Sequence, residues 1–217
     1  MAEKRRLGVL LSGRGSNFLA ICDAIADGVI PDATIVAVIS DVADAPGLNR
    51  AVERGLPAFP IPREGLTRSE HEASIDKILD SAGVELVCLA GYMRILSPDF
   101  VRRWRGRILN IHPALLPAFK GLDTHRRALE AGVTVHGATV HFVVPEMDSG
   151  PIIAQAAVNV RPGEIEEKLA ARVLEVEHQI YPLALKLLAE GRLRIENNHC
   201  LIDGVPVPDT ARLIPVP

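Results

Sequence analysis

Three short apolar runs do most to limit what this chain can fold into: Leu7 to Leu11, Ile35 to Ser40 and Val84 to Ala90. A strand with one face in water alternates apolar and polar side chains. These runs are nearly continuous, so each must be buried on both faces. The segments between them supply the cover. Ser12-Gly13-Arg14-Gly15-Ser16-Asn17 makes a glycine turn after the first run and leads into a helical stripe at Phe18, Ile21/Cys22, Ile25 and Val29. A further helix is predicted over about residues 68–82. Strand, turn and helix repeated in this way give a parallel sheet with helices on both sides.

Beyond about residue 107 the texture changes. Ile108 to Ile111, Thr134 to Val144 and Ile152 to Val160 read as strands with little helix between the last two, which predicts a mixed sheet there. The last long element, about Glu164 to Glu190, carries Leu169, Val173, Val176, Ile180, Leu183 and Leu187 at alternating spacings of three and four. Pro182 lies inside it and is expected to kink or split the helix. The fold class is therefore α/β: a single domain with a doubly wound, mostly parallel sheet, Rossmann-like in its N-terminal half and mixed in its C-terminal part. Residues 1–202 make the domain, and residues 203–217, with Pro206, Pro208, Pro215 and Pro217, read as a surface tail.

At 217 residues the chain suits one core. Lys and Arg total 24 against 27 Asp and Glu, a formal net charge of -3, so a polyanion-binding surface for nucleic acid is not expected and small-molecule partners are. Cys22, Cys88 and Cys200 are odd in number and lack C-x-x-C spacing, which argues for buried free thiols against a disulfide framework or a zinc knuckle. Lys4-Arg5-Arg6 precedes an apolar run too short for a signal peptide. No uncharged run approaches the roughly 20 apolar residues of a membrane span. A cytoplasmic protein with no membrane partner is expected, and either a monomer or a homodimer fits.

The chemistry concentrates at Asn110-Ile111-His112-Pro113 and at Asp148, inside the turn-like stretch Met147-Asp148-Ser149-Gly150-Pro151. On a strand, Asn110 and His112 are two apart and share a face, one an amide donor and the other an imidazole that carries a proton. Together they make a polar seat for a developing oxyanion. A carboxylate brought near by folding would favour the imidazolium and raise the histidine pKa, and Asp148 is the candidate. His141 and Thr139 alternate with apolar neighbours, which fits either the same pocket or a half-solvated strand face. His71 and His125 sit in polar surroundings and read as surface residues. No metal site is expected, since His136, His141, His199 and Cys200 lack zinc spacing.

The glycine turn places backbone N–H groups at a helix start, where a phosphate would fit; a tight turn alone would also explain the glycines. It runs G-x-G-x-x-F, with Phe18 where a dinucleotide fingerprint has its third glycine, and Asp41 comes nearest to the ribose-binding acid. Glu177 falls on the apolar stripe of the last helix, and a buried carboxylate needs a partner. A ribose diol and Arg172 are the two options.

Several segments taken in order resemble the glycinamide ribonucleotide formyltransferase family of folate-dependent enzymes. They are Ser12 to Asn17, Leu89-Ala90-Gly91-Tyr92-Met93-Arg94-Ile95-Leu96-Ser97, Leu109 to Pro113, His136-Gly137-Ala138-Thr139-Val140-His141-Phe142 and Asp148-Ser149-Gly150-Pro151-Ile152-Ile153. The resemblance implies transfer of the formyl group of 10-formyltetrahydrofolate, a co-substrate, to the amine of glycinamide ribonucleotide, in de novo purine biosynthesis. It implies that Gly15, Ser16 and Asn17 hold the substrate phosphate and Glu177 its ribose hydroxyls. Folate would lie between Met93, Arg94, Ile95 and Leu96 and the loop Val144, Pro145, Glu146, Met147, with Arg68 near its glutamate tail. Asn110, His112 and Asp148 would be catalytic. Ala114 stands where many relatives carry Ser, and Leu174 replaces a polar residue near Glu177.

Four other readings compete. A formyltetrahydrofolate deformylase would use water in place of the amine, and its relatives add an N-terminal domain. A methionyl-tRNA formyltransferase adds a C-terminal RNA-binding domain for which this length leaves no room. A non-catalytic nucleotide-binding module would need the glycine turn and gain nothing from Asn110, His112 and Asp148. A nicotinamide oxidoreductase is disfavoured by Phe18.

Overall fold

The computed structural model describes residues 4–205. Its centre is a seven-stranded sheet in the order β3-β2-β1-β4-β5-β6-β7. The first five strands are β1 (Arg5–Leu11), β2 (Ala33–Ser40), β3 (Ala58–Pro60), β4 (Leu86–Leu89) and β5 (Ile108–His112), and they pair in parallel. Next come β6 (Val135–Phe142) and β7 (Ile152–Asn159), each antiparallel to the strand before it. The doubly wound sheet with a mixed C-terminal part is as the sequence predicts. Apolar runs became its central strands because β1, β2 and β4 are covered on both faces.

Two hydrophobic clusters do the covering. On one face α1 (Ser16–Ala26), α2 (Pro46–Glu53) and α6 (Glu166–Ala189) pack Phe18, Ile21, Leu48, Leu169, Val173 and Tyr181 against Leu7, Val9, Leu11 and Leu109. On the other, α3 (Arg68–Ser81) and α4 (Pro98–Arg103) bring Ile75, Leu79, Phe100 and Val101 against Leu10, Val87 and Ile108. The helix α5 (Thr124–Glu130) follows the loop after β5. Tyr181 is fully buried, and its hydroxyl donates towards the carbonyls of Leu89 at 3.0 Å and Leu109 at 3.3 Å, which pins α6 across β4 and β5.

Several expectations need correction. The first helix ends at Ala26, so Val29, 47% exposed, lies outside its stripe. Pro182 does not split α6, which runs unbroken through it; Tyr181, Pro182, Ala184 and Leu185 are all buried, so packing against the sheet outweighs one lost backbone bond. Leu183 faces outward, and Ala184 continues the stripe instead. His71 is buried, with Nε2 2.8 Å from the Ile61 carbonyl, and His125 is half-buried against His136. The chain also forms an unforeseen hairpin of β8 (Leu193–Glu196) and β9 (His199–Ile202), and Asp203 pairs with Arg192 beside it. Of the stretch read as a tail, residues 206–217 lie outside the described residues. Cys22 and Cys88 are buried thiols, and burial pushes them up to about 11 and about 12.

Candidate active site

Antiparallel pairing of β5 and β6 sets Asn110 opposite His141 and His112 opposite Thr139. Residues directly opposite one another share a sheet face, so four polar side chains gather at one end of these two strands. His112 and His141 are buried there, and Asn110 is half-buried. Asp148 arrives from the connection between β6 and β7, in the left-handed region at φ 48°. The turn that carries it needs Gly150, where a Cβ would sit 1.8 Å from the Phe142 carbonyl oxygen. Asp148 Oδ2 is 3.5 Å from His112 Nδ1, and Oδ1 is 3.8 Å from His141 Nε2. The backbone N–H of Gly121 donates to Asp148 Oδ2 at 2.9 Å, fixing the carboxylate between the two rings.

Hydrogen-bond partners assign the tautomers. His141 Nδ1 is 2.9 Å from the Phe142 carbonyl, which only accepts, so Nδ1 bears the proton. Burial, its largest influence, holds His141 below the usual histidine range, so the neutral ring leaves Nε2 free to accept. Asn110 Nδ2 donates to it at 3.3 Å. The amide is thereby oriented, with a second N–H to offer a ligand. His112 Nε2 faces the Phe119 carbonyl at 3.0 Å, so both nitrogens of that ring look at acceptors.

Thr139 plays a different part from His141. Its Oγ1 donates to the Ala114 carbonyl at 2.6 Å and accepts from Leu116 N–H at 3.0 Å and from Gln155 Nε2 at 2.9 Å, so it shapes the loop after His112. Lys120 donates to Ser149 Oγ at 2.5 Å, tying that loop to the Asp148 turn. Neither Gln155 nor Lys120 carries a sequence signal, because both work through contacts made by folding.

The glycine turn lies at the carboxyl end of β1. Gly15 caps α1 at φ 73°, and a Cβ there would approach Gly47 Cα to 3.0 Å. Buried Asn17 donates Nδ2 to Glu177 Oε2 at 2.7 Å, and Asn17 Oδ1 has no partner among the described residues. Arg172 instead bonds Glu164 at 2.7 Å, so of the two partners offered for Glu177 the arginine is excluded. Burial raises the Glu177 carboxyl above its ordinary range, against the Asn17 hydrogen bond. Gly15, Ser16, Asn17 and Glu177 therefore form one constellation.

Met93 and Ile95 project from the segment after β4, 70% and 64% exposed, while Tyr92 and Leu96 are buried. Arg94 Nη1 is buried without a partner among the described residues. Of the facing loop, Pro145, Glu146 and Met147 are exposed and Val144 is half-buried. Arg68 stands apart, exposed in the first turn of α3. Among the described residues no cluster of three or more His, Cys, Asp or Glu is placed to hold a metal, and no helix is long and apolar enough to cross a membrane.

A carboxamide, an imidazole and a carboxylate converging at strand ends, beside an anion-suited turn and an exposed apolar segment, define an α/β enzyme of the group-transfer class. The formyl transferase family matches residues 5–185, and the chain belongs to that family. It is 46% identical over 205 residues to the phosphoribosylglycinamide formyltransferase of Haemophilus influenzae, covering 94% of this chain and 96% of that one. The crystal structure of glycinamide ribonucleotide transformylase 1 from Symbiobacterium toebii superposes with a TM-score of 0.90 at 48% identity, over 93% of this chain and 95% of that one. A formyltetrahydrofolate deformylase from Pseudomonas syringae shares the fold at TM-score 0.86 and 27% identity, covering 93% of this chain and 66% of its own.

Proposed function

We infer that Asn110, His112 and Asp148 carry out the reaction for which the family and the named relatives speak. The chain transfers the formyl group of 10-formyltetrahydrofolate to the amine of glycinamide ribonucleotide, giving formylglycinamide ribonucleotide and tetrahydrofolate, in purine biosynthesis. The observation that carries the assignment of residues is the Asp148 carboxylate set between the His112 ring at 3.5 Å and the His141 ring at 3.8 Å, with the Asn110 amide bonded to that same His141 ring at 3.3 Å.

The substrate amine attacks the formyl carbon and the carbonyl oxygen becomes an oxyanion. Asn110 offers its free N–H to that oxygen and His112 offers a ring proton, both stabilising charge that exists only on the way to product. The oxyanion replaces the Phe119 carbonyl as the acceptor for His112 Nε2–H. Asp148 is counter-ion to the ring and acceptor for the proton the attacking amine must lose, and the folate nitrogen leaves with a proton. No covalent enzyme intermediate is needed, because holding the two reactants together removes much of the entropic barrier.

Binding follows from the second constellation. Backbone N–H groups at Gly15, Ser16 and Asn17 receive the phosphate, and the ribose diol supplies donors to Glu177 and to the unpartnered Asn17 Oδ1. Met93, Arg94, Ile95 and Leu96 cover and read the pterin from one side and Val144, Pro145, Glu146 and Met147 from the other, while Arg68 meets the glutamate tail. All these groups come from one chain, so a monomer or a homodimer would serve. Unpaired cysteines suit a reducing cytoplasm.

The test mixes purified protein with 10-formyltetrahydrofolate and follows loss of the formyl group spectroscopically, with and without glycinamide ribonucleotide. Turnover is expected only with the amine. Turnover indifferent to it would favour a deformylase.

A further inference from the structure

The strands β2, β1 and β4 are neighbours in the sheet, and a single hydroxyl joins the segments that leave their carboxyl ends. Ser12, directly after β1, donates Oγ–H to Asp41 Oδ1 at 2.6 Å and accepts the backbone N–H of Met93 at 2.8 Å. Its own N–H donates to the Gly91 carbonyl at 3.1 Å. Asp41 follows β2 and is 8% exposed, so its carboxylate is held in place by its surroundings. The first turn of α2, which follows, grips the glycine turn, since Gly47 N–H donates to the Gly13 carbonyl at 3.0 Å. At its far end the Met93 segment is held by Glu72, which accepts Ser97 N–H at 2.7 Å.

A hydroxyl is a donor and an acceptor at once, and Ser12 uses both functions within the protein. On one side of it lies Gly13 to Asn17, and on the other Met93 to Leu96. These are the segments assigned above to the two different substrates. We propose that Ser12, oriented by Asp41, is a positioning residue that fixes the phosphate turn against the folate segment, and so sets the placement of the amine relative to the formyl carbon while touching neither substrate. This rests on the site assignments of the proposed function. Effective intramolecular reaction demands that both reactants be placed closely, and a shift of about 1 Å costs on the order of a hundredfold in rate.

Steady-state kinetics with each substrate varied in turn test the proposal. Ser12→Ala, which loses two hydrogen bonds, and Asp41→Ala, which loses one, should each lower kcat by at least about tenfold as the two reactants lose their relative placement, and raise KM for glycinamide ribonucleotide and for 10-formyltetrahydrofolate together; an unchanged kcat would overturn the proposal. Asp41→Asn keeps an oxygen that accepts from Ser12 and should restore these values to near those of the parent. The double alanine variant should be little worse than Ser12→Ala alone, which already breaks the link at both of its bonds. A rise in only one KM, or an Asp41→Asn variant as poor as Asp41→Ala, would overturn the proposal. Asp41→Ser, polar but too short to reach, replaces Asp41→Ala should that variant fail to fold. Asn17→Ala is the control for the assignments beneath: if it leaves KM for glycinamide ribonucleotide unchanged, the substrate site is misplaced, whatever Ser12 does.

Discussion

Asp148 shows what single residues contribute. Its carboxylate sits between two histidines that differ in their partners, and the difference separates their work: His141 is locked to a carbonyl and orients Asn110, while His112 faces acceptors on both sides. If His112 and Asp148 act as proposed, removing that ring or neutralising its counter-ion should cost far more rate than stability. His112→Ala and Asp148→Asn are each expected to lower kcat by about 10²- to 10⁴-fold with the circular dichroism spectrum unchanged, and a near-normal rate in either would remove that residue from the mechanism. Glu177 makes a second case. Burial raises its carboxyl, so an ionised Glu177 at neutral pH weakens the free protein. Glu177→Gln should raise Tm, by about 2–4 °C for each kcal/mol relieved, while raising KM for glycinamide ribonucleotide. A variant less stable than the parent would mean that the charge is well paired. The same-face pairing of Asn110 and His112 was legible in the sequence because a strand's period is two. The approach of Asp148 was a guess from chemistry, and the buried partner of His71 was invisible, since neither follows from local spacing.

Elements carry their own signals, some of them readable. Thr67 accepts from Glu70 N–H while the Glu70 side chain accepts from Thr67 N–H, a reciprocal cap that starts α3 at the position the helical spacing predicts. The missed hairpin was also written in the chain: Asn197 and Asn198 both take positive φ, 48° and 65°, between short alternating strands. Two left-handed residues in sequence are what a tight hairpin turn requires, and asparagine tolerates them. Pro182 misled for the opposite reason, because a local rule for breaking helices lost to burial along a 24-residue helix. The β6–β7 connection is where an element positions a group proposed to be catalytic. A Cβ at Gly150 would overlap the Phe142 carbonyl, so Gly150→Ala must push the turn outward and carry Asp148 away from His112. This variant is expected to lose kcat by more than about tenfold even at temperatures where it stays folded, and one that keeps full kcat would show that the turn has slack.

At the scale of the molecule, the groups assigned to substrates, Arg68 on α3 apart, lie at or beyond the carboxyl ends of the parallel strands, in the β6–β7 connection, or on α6 across from them. The sheet order places β1 beside β4, where the helices change face, the kind of switch point at which open α/β sheets bind their ligands. Histidines packed into α5, β6 and α6 give the whole protein an acid sensitivity. Burial is the largest influence on His125, His136, His141 and His178, and in each it favours the neutral ring; His136 is taken down to about 4. In the unfolded chain these rings bind protons near pH 6.5. Their contribution to stability is therefore complete above that pH and is lost as pH falls, for His136 over the window from 6.5 to about 4. Glu177 and Asp76, both raised by burial, act with the opposite sign: the stability they add is present at low pH and lost as pH rises through their folded values. Tm should fall on acidification from pH 7.5 to 5.5, where the histidines dominate. His136→Gln cannot titrate, so its Tm should fall less steeply over the same interval. Equal slopes for the two proteins would mean that His136 takes up its proton as readily in the folded chain as in the unfolded one.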